Sequence, residues 1–126
     1  MAKARILVVE DSPTLQLWLK VRLEYHGYTV IQALDGKAGL KMVKSEKPDV
    51  VLLDVMMPEM DGIEVCRRIK SDPEIKNIPV IFLSAKAQQK DIDEGLAAGA
   101  EAYITKPYES DELLEEIEKF LKKRGK

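Results

Sequence analysis

Glu10, Asp11, Asp54, Ser84 and Lys106 are the residues of this chain whose types and placement could do chemistry together. Asp54 ends the apolar run of "VVLLDVMMPEMDG", a place where a carboxylate costs free energy unless something solvates or pairs it. Glu10 and Asp11 follow "RILVV", Ser84 ends "VIFLS", and Lys106 follows Thr105 behind "AYI". Three gathered carboxylates repel and raise one another's proton affinity. A divalent cation removes that conflict, and an all-oxygen set suits a hard ion such as Mg²⁺. Mg²⁺ keeps several waters and takes a phosphate more readily than a complete protein cage. Few carboxylates, one ammonium and one hydroxyl therefore suit a phosphoryl group. The cation and Lys106 would neutralise its outer oxygens, and Ser84 would donate a hydrogen bond. Asp54 could be a third metal ligand or the nucleophile itself, since carboxylates form aspartyl phosphates.

Bringing these residues together requires elements that end side by side. The run Arg5 to Val9 predicts a strand, and Ser12-Pro13 an N-cap followed by proline at the first helical position, with the helix stopping at Gly27. "YTVIQA", Tyr28 to Ala33, is a second strand, and Asp35-Gly36 opens a helix that ends before Pro48. The solidly apolar Val50 to Leu53 predicts a strand buried on both faces, followed by a helix from Gly62 to Lys70 that Asp61 helps to turn into. Val80 to Ser84 is the fourth strand, followed by a helix from about Gln88 to Ala98 capped by Gly99. A short fifth strand "AYI" precedes a last helix with Ser110 as its cap and Leu113, Leu114, Ile117, Phe120 and Leu121 as its apolar positions. Five strand–helix units in strict alternation predict an α/β doubly wound parallel sheet of five strands with helices on both sides, a three-layer sandwich. Ligands of such sheets bind beyond the carboxyl ends of the strands, which is where all five candidate residues stand.

Composition narrows the function classes. At 126 residues the chain fits one domain, with 45% apolar and 33% charged residues and a net charge of −2. Mixed charge of this kind sets up no broad field for nucleic acid or an acidic membrane. No apolar run reaches membrane-spanning length, and Met1 to Arg5 leads into the first strand without a signal-peptide core, so a cytoplasmic protein is expected. The single cysteine, Cys66, excludes an internal disulfide or cysteine metal cage, and with Val65 and Ile69 it fits a buried helix face. The single histidine, His26, is expected at the surface beside Gly27, and the basic end Lys122 to Lys126 as a continuation of the last helix. Met56, Met57 and Met60 are expected to pack the loop around Pro58.

With "VVEDS", "PDVVLLDVMMPEMDG", "IFLSA" and "GAEAYITKPY" at these spacings, the chain from about Arg5 to Leu121 resembles the receiver domain of response regulators, similar to the chemotaxis receivers of two-component systems. The resemblance implies strand order 2-1-3-4-5, for which the flavodoxin-like fold is the general pattern. It implies Asp54 as phosphate acceptor, with Glu10, Asp11, Asp54 and the backbone carbonyl of Met56 holding Mg²⁺. It further implies Ser84 as switch hydroxyl, Tyr103 as switch aromatic, and Lys106 as the phosphate-contacting lysine before a cis Pro107. Met56 and Lys86, two residues past Asp54 and Ser84, fall where side chains set the lifetime of the phosphorylated state.

A receiver of this kind is a phosphoacceptor switch rather than an enzyme, with self-phosphorylation and autodephosphorylation its only chemistry. The expected partners are a histidine kinase or phosphotransfer protein and a downstream protein on the face of the fourth helix, fifth strand and fifth helix. Direct nucleic-acid binding and membrane insertion are not expected, and the unphosphorylated chain is expected to be a monomer. A haloacid-dehalogenase-like phosphatase would need a second Asp where Met56 stands, and a flavin binder would need a phosphate loop where "EDSPT" places carboxylates. An interaction-only relative of the receivers would not need the complete acceptor set. Little follows the fifth helix, so the chain is expected to be either a stand-alone regulator or the excised receiver of a longer regulator or hybrid kinase. "EAYITKPY" lacks the Asp-Asp-Tyr segment of dimerising transcription-factor receivers, which favours the stand-alone or hybrid-kinase type.

Overall fold

Each short apolar run becomes a strand because β-branched and leucine side chains cover both faces of a pleated ribbon buried between helices. The computed structural model describes residues 4–125. Met1 to Lys3 and Lys126, the ends of the expected lead-in and basic tail, lie outside the described residues. The elements are β1 (Arg5–Val9), α1 (Pro13–Tyr25), β2 (Thr29–Ala33), α2 (Gly36–Glu46), β3 (Val50–Leu53), α3 (Gly62–Ser71), β4 (Val80–Ser84), α4 (Gln89–Ala97), β5 (Ala102–Thr105) and α5 (Ser110–Lys123). All strand pairs are parallel, in the order β2-β1-β3-β4-β5.

The period of two along each strand divides the core into two halves. Leu7, Val9, Val51, Leu53, Val80 and Phe82 face α2 and α3, where Leu40, Val43, Val65, Cys66 and Ile69 meet them. Ile6, Val8, Val50, Leu52, Ile81 and Leu83 face α1 and α5, meeting Leu19, Leu23, Leu113, Ile117 and Phe120. Burying each such aliphatic side chain stabilises the fold by about 1.5–3 kcal/mol. The central strands therefore hold the carboxyl-end edge rigid.

Three helix starts are capped by side chains: Ser12 as expected, and Asp35 and Asp61 at the places where the chain is expected to open or turn into a helix. Ser12 Oγ accepts from Leu15 N at 3.3 Å, Asp35 Oδ1 from Ala38 N at 2.7 Å, and Asp61 Oδ1 from Glu64 N at 3.0 Å. The last helix differs from expectation. Ser110 is its first helical residue and Glu109 the cap, with no side-chain bond to the first turn. Extended backbone at Glu109, directly after the Lys106–Tyr108 segment, sets that start one residue earlier than the serine suggests. Cys66 is buried, its Sγ donating to the Ala98 carbonyl at 3.6 Å, and burial pushes its thiol up to about 11. His26 is exposed at the end of α1. Met57 is buried and Met60 packs against the core, whereas Met56 is 56% exposed and does not join the loop packing expected of it. Among the described residues no helix is long and apolar enough to cross a membrane.

Candidate functional site

Sheet register brings the acidic residues together. Val9 stands opposite Leu53, so the next residues, Glu10 and Asp54, leave the sheet as neighbours. The Asp54 amide donates to the Val9 carbonyl at 3.1 Å, and the Glu10 amide to the Ala33 carbonyl at 3.1 Å. Carboxylate oxygens of Glu10, Asp11 and Asp54 lie within 4.8 Å of one another. Glu10 and Asp54 are buried, while Asp11 is exposed at the rim.

Lys106 arrives from β5. Its amide donates to the Ser84 carbonyl at 2.9 Å, and the Lys106–Pro107 peptide is cis. Its Nζ lies 3.3 Å from Glu10 Oε1 and 3.6 Å from Asp54 Oδ2. One ammonium thus spans two carboxylates from the ends of different strands. Each carboxylate also takes a local amide: Glu10 Oε2 from Ser12 N at 3.0 Å, and Asp54 Oδ1 from Met56 N at 3.1 Å. The Glu10 carboxyl is pushed up to about 7, chiefly by burial, with the Asp54 charge adding to the rise and the Ser12 amide and Lys106 opposing it.

Gly62 lets the chain turn close beneath Asp54. A Cβ there would meet the Asp54 carbonyl oxygen at 2.1 Å, so the start of α3 lies where no other residue fits. Tyr108, just past Pro107, packs edge-on against Trp18 of α1 with ring centroids 6.2 Å apart. Burial, aided by the Glu10 charge, pushes its phenol up to about 12.

Ser84 is fully buried, and its Oγ accepts from the Lys86 amide at 3.2 Å. The Lys86 carbonyl accepts from the Tyr103 hydroxyl at 2.7 Å. Burial raises the Tyr103 phenol above its ordinary range, a hydrogen bond with the Ser84 side chain opposes the rise, and Asp91, Asp54 and Glu94 add to it. Met56 and Lys86 line one open cavity with Val55, Met57, Pro58 and Asp61, of about 380 Å³. Glu10, Asp11, Asp54 and Lys106 thus form one cluster, with Ser84, Lys86 and Tyr103 in a chain of hydrogen bonds beside it.

Gln16 is a contributor that patterning alone misses. On the buried side of α1, its Nε2 donates to the carbonyls of Val8 (3.0 Å), Glu10 (3.1 Å) and Ala33 (2.7 Å). Its Oε1 accepts from Gln32 Nε2 at 3.0 Å. The side chain therefore pins the ends of β1 and β2 under the acidic pair. The one sequence signal is a polar residue among the inward positions Leu19 and Leu23.

The donor set fits a small hard cation. It is all oxygen, carries more carboxylates than one lysine offsets, and has an exposed member facing the rim. Burial, and after it the Asp54 charge, raise the affinity of Glu10 for a proton, and a cation beside the carboxylate would offset both.

The family model described as the response regulator receiver domain matches residues 6–118. Protein PilH of Pseudomonas aeruginosa is 43% identical over 114 residues, covering 90% of this chain and 94% of that protein. The DNA-binding dual master transcriptional regulator RpaA of Synechocystis sp. is 37% identical over 119 residues, covering 94% of this chain and 49% of that protein. This chain spans about half the length of several other curated relatives that it matches, regulators MprA and CseB among them. The signal receiver domain of a signal transduction histidine kinase from Syntrophus aciditrophicus superimposes with a TM-score of 0.89 at 37% identity, over 95% of this chain and 91% of that one.

Proposed function

This chain belongs to the response regulator receiver domains of two-component signalling, and from that premise we propose that it is a phosphorylation-dependent switch with Asp54 as the acceptor. The observation that carries the reading is Lys106 Nζ placed against both Glu10 and Asp54, with Asp11 completing the acidic cluster. Residues from about Arg5 to Leu121 form the working unit, a single receiver domain.

Glu10, Asp11, Asp54 and the Met56 carbonyl would hold Mg²⁺, which supplies charge neutralisation for a phosphoryl group when bound. An Asp54 carboxylate oxygen attacks the phosphorus of a phosphohistidine on a histidine kinase or phosphotransfer protein. The new P–O bond forms as the P–N bond breaks, and the donor ring, already protonated on its other nitrogen, leaves as neutral imidazole. Lys106 orients the acceptor carboxylate and then pairs with a phosphoryl oxygen, and Ser84 donates its hydroxyl to another. Tyr103 follows the movement at Ser84 and Lys86. The face of α4, β5 and α5 thereby changes its affinity for a downstream protein. Met56 and Lys86, at the mouth, tune hydrolysis. The protein works by binding rather than by turnover, as a cytoplasmic monomer until it is modified, and does not contact nucleic acid itself.

Treatment with acetyl phosphate and Mg²⁺, read by intact mass and peptide mapping, tests this reading. One phosphoryl group on Asp54 is the expected product, and Asp54→Asn abolishes it. Undiminished labelling of Asp54→Asn refutes the assignment. The relatives of which this chain spans about half favour a second reading, in which the same switch governs an attached output domain. The size of the native protein on an immunoblot separates the two.

A further inference from the structure

α4 buries one residue of its own, and that residue is Gly95. Glycine is less favourable than alanine inside a helix, so its presence there points to a packing reason. A Cβ on Gly95 would fall 2.8 and 3.0 Å from Cδ2 and Cε2 of Tyr103 and 3.1 Å from Cδ2 of Phe82. Phe82 is fully buried in the sheet and leans on the Tyr103 ring, so it can give the few tenths of an ångström that a 3.1 Å contact asks only when that ring is absent. Tyr103 is half-buried, leans on Phe82 with ring centroids 5.7 Å apart, and is tethered by its hydroxyl to the Lys86 carbonyl. The volume denied to a side chain at position 95 is therefore chiefly that of the Tyr103 ring, with the edge of Phe82 behind it.

Little else of α4 reaches the core. Ile92 is half-buried and Leu96 is 45% exposed, while Ala98, just past the last turn, is buried and anchors the far end. The helix thus has a fixed point at its C-terminal end and one seat along its length. We infer that Gly95 is the positioning residue that moors α4 to the sheet through the Tyr103 ring, so that neither can move without the other. Ring and helix share one contact surface with no side chain between them. If the ring leaves, α4 loses its seat and a void opens under Gly95. If position 95 carries a side chain, the ring or the helix is displaced. The hydrogen-bond chain from Ser84 through Lys86 to Tyr103 then ends on this seat. The signalling consequence rests on the switch reading proposed above, whereas the mooring is a property of the unmodified protein.

A double-mutant cycle on the unmodified chain tests the mooring. Gly95→Ala is expected to lower the urea midpoint in the wild-type background and to raise it in the Tyr103→Ala background. There the vacated space accepts the methyl group and helix propensity prevails. Peptide-resolved nitration with tetranitromethane gives an independent readout. Tyr103 is expected to react several-fold faster in Gly95→Ala, with Tyr28 and Tyr108 unchanged. Tyr103→Ala alone should lose hydrogen-exchange protection in α4 but not in α3 or α5. The mooring is overturned if Gly95→Ala raises the midpoint equally in both backgrounds, or if Tyr103 nitration stays at the wild-type rate. Beryllofluoride with Mg²⁺ addresses the switch separately. Unchanged α4 amide shifts beside a non-additive cycle would remove the signalling consequence and leave the mooring standing.

Discussion

Replacing Gln16 with leucine tests how the acidic pair is held. The amide donates toward three carbonyls at 2.7–3.1 Å and accepts from Gln32 at 3.0 Å, in a position only 3% exposed. Its NH₂ has two hydrogens, so two donated bonds are complete at once and the third carbonyl shares one of them. Three net hydrogen bonds at about 1 kcal/mol each give roughly 3 kcal/mol. Carbonyls left without a partner add about 1–3 kcal/mol, although the Ala33 oxygen keeps the Glu10 amide. Leucine is close in volume and recovers about 1.5 kcal/mol by burying apolar surface. The balance is a loss of about 3 kcal/mol. With a urea slope of about 1.5 kcal/mol per molar, the midpoint falls by about 2 M. Gln16→Glu should be worse at neutral pH, because it sets a carboxylate oxygen against the same carbonyls. Equilibrium urea unfolding followed by circular dichroism gives the ranking. Mg²⁺ titration by tryptophan fluorescence should show weaker binding for Gln16→Leu, since the backbone beneath Glu10 loses its anchor. A Gln16→Leu protein within about 0.5 kcal/mol of wild type, the usual size of a surface effect, refutes the reasoning.

Asp11→Ala should keep the fold, hold or raise stability because it relieves repulsion in the carboxylate cluster, and lose Mg²⁺ binding; wild-type affinity in a metal titration would refute the assignment. Lys106→Ala should still accept some phosphoryl group but show smaller beryllofluoride-induced amide shifts across α4, β5 and α5, because the ammonium that joins Asp54 to the end of β5 is gone; shifts of wild-type size would contradict this. Met56→Asn should speed loss of phosphate by about tenfold, or 1.4 kcal/mol, because an amide can orient water and a thioether cannot. Phosphate release no faster than in wild type would end that explanation. The Cys66 thiol is raised from 9.0 to about 11 by burial, with Lys70 opposing and Glu101 adding to the rise, so at pH 8 its thiolate should be about a hundredfold scarcer than in the unfolded chain. Ellman's reagent should therefore modify the native protein at under about a hundredth of the unfolded rate, and comparable rates would place Cys66 at the surface.

The gathering of Glu10, Asp11, Asp54, Ser84 and Lys106 is legible from the order of residues alone. Parallel strands joined by right-handed crossovers must all end on the same edge, so polar residues that follow apolar runs are brought to one place by topology. Ser12 is legible as a cap, and Asp35 and Asp61 as the places where helices open, because a side-chain oxygen bonding an amide three residues on is a local event. Ser110 shows the limit of that reasoning. Where the preceding segment is held by tertiary contacts, the helix began one residue away from the residue best suited to cap it.

What the tertiary structure decided lies in contacts between distant residues. Sequence places Lys106 at the site but not against both Glu10 and Asp54, a geometry that depends on how far β5 slides along β4. Gln16 reads as one polar residue on a helix, and only the approach of α1 to the ends of β1 and β2 turns it inward onto three carbonyls. Gly95 reads as a weak point in α4, and only the depth of the Tyr103 ring shows what fills the space left by its missing side chain. Backbone periodicity and caps are short-range and repeat along the chain, whereas these contacts are fixed by packing between elements, which the order of residues does not display.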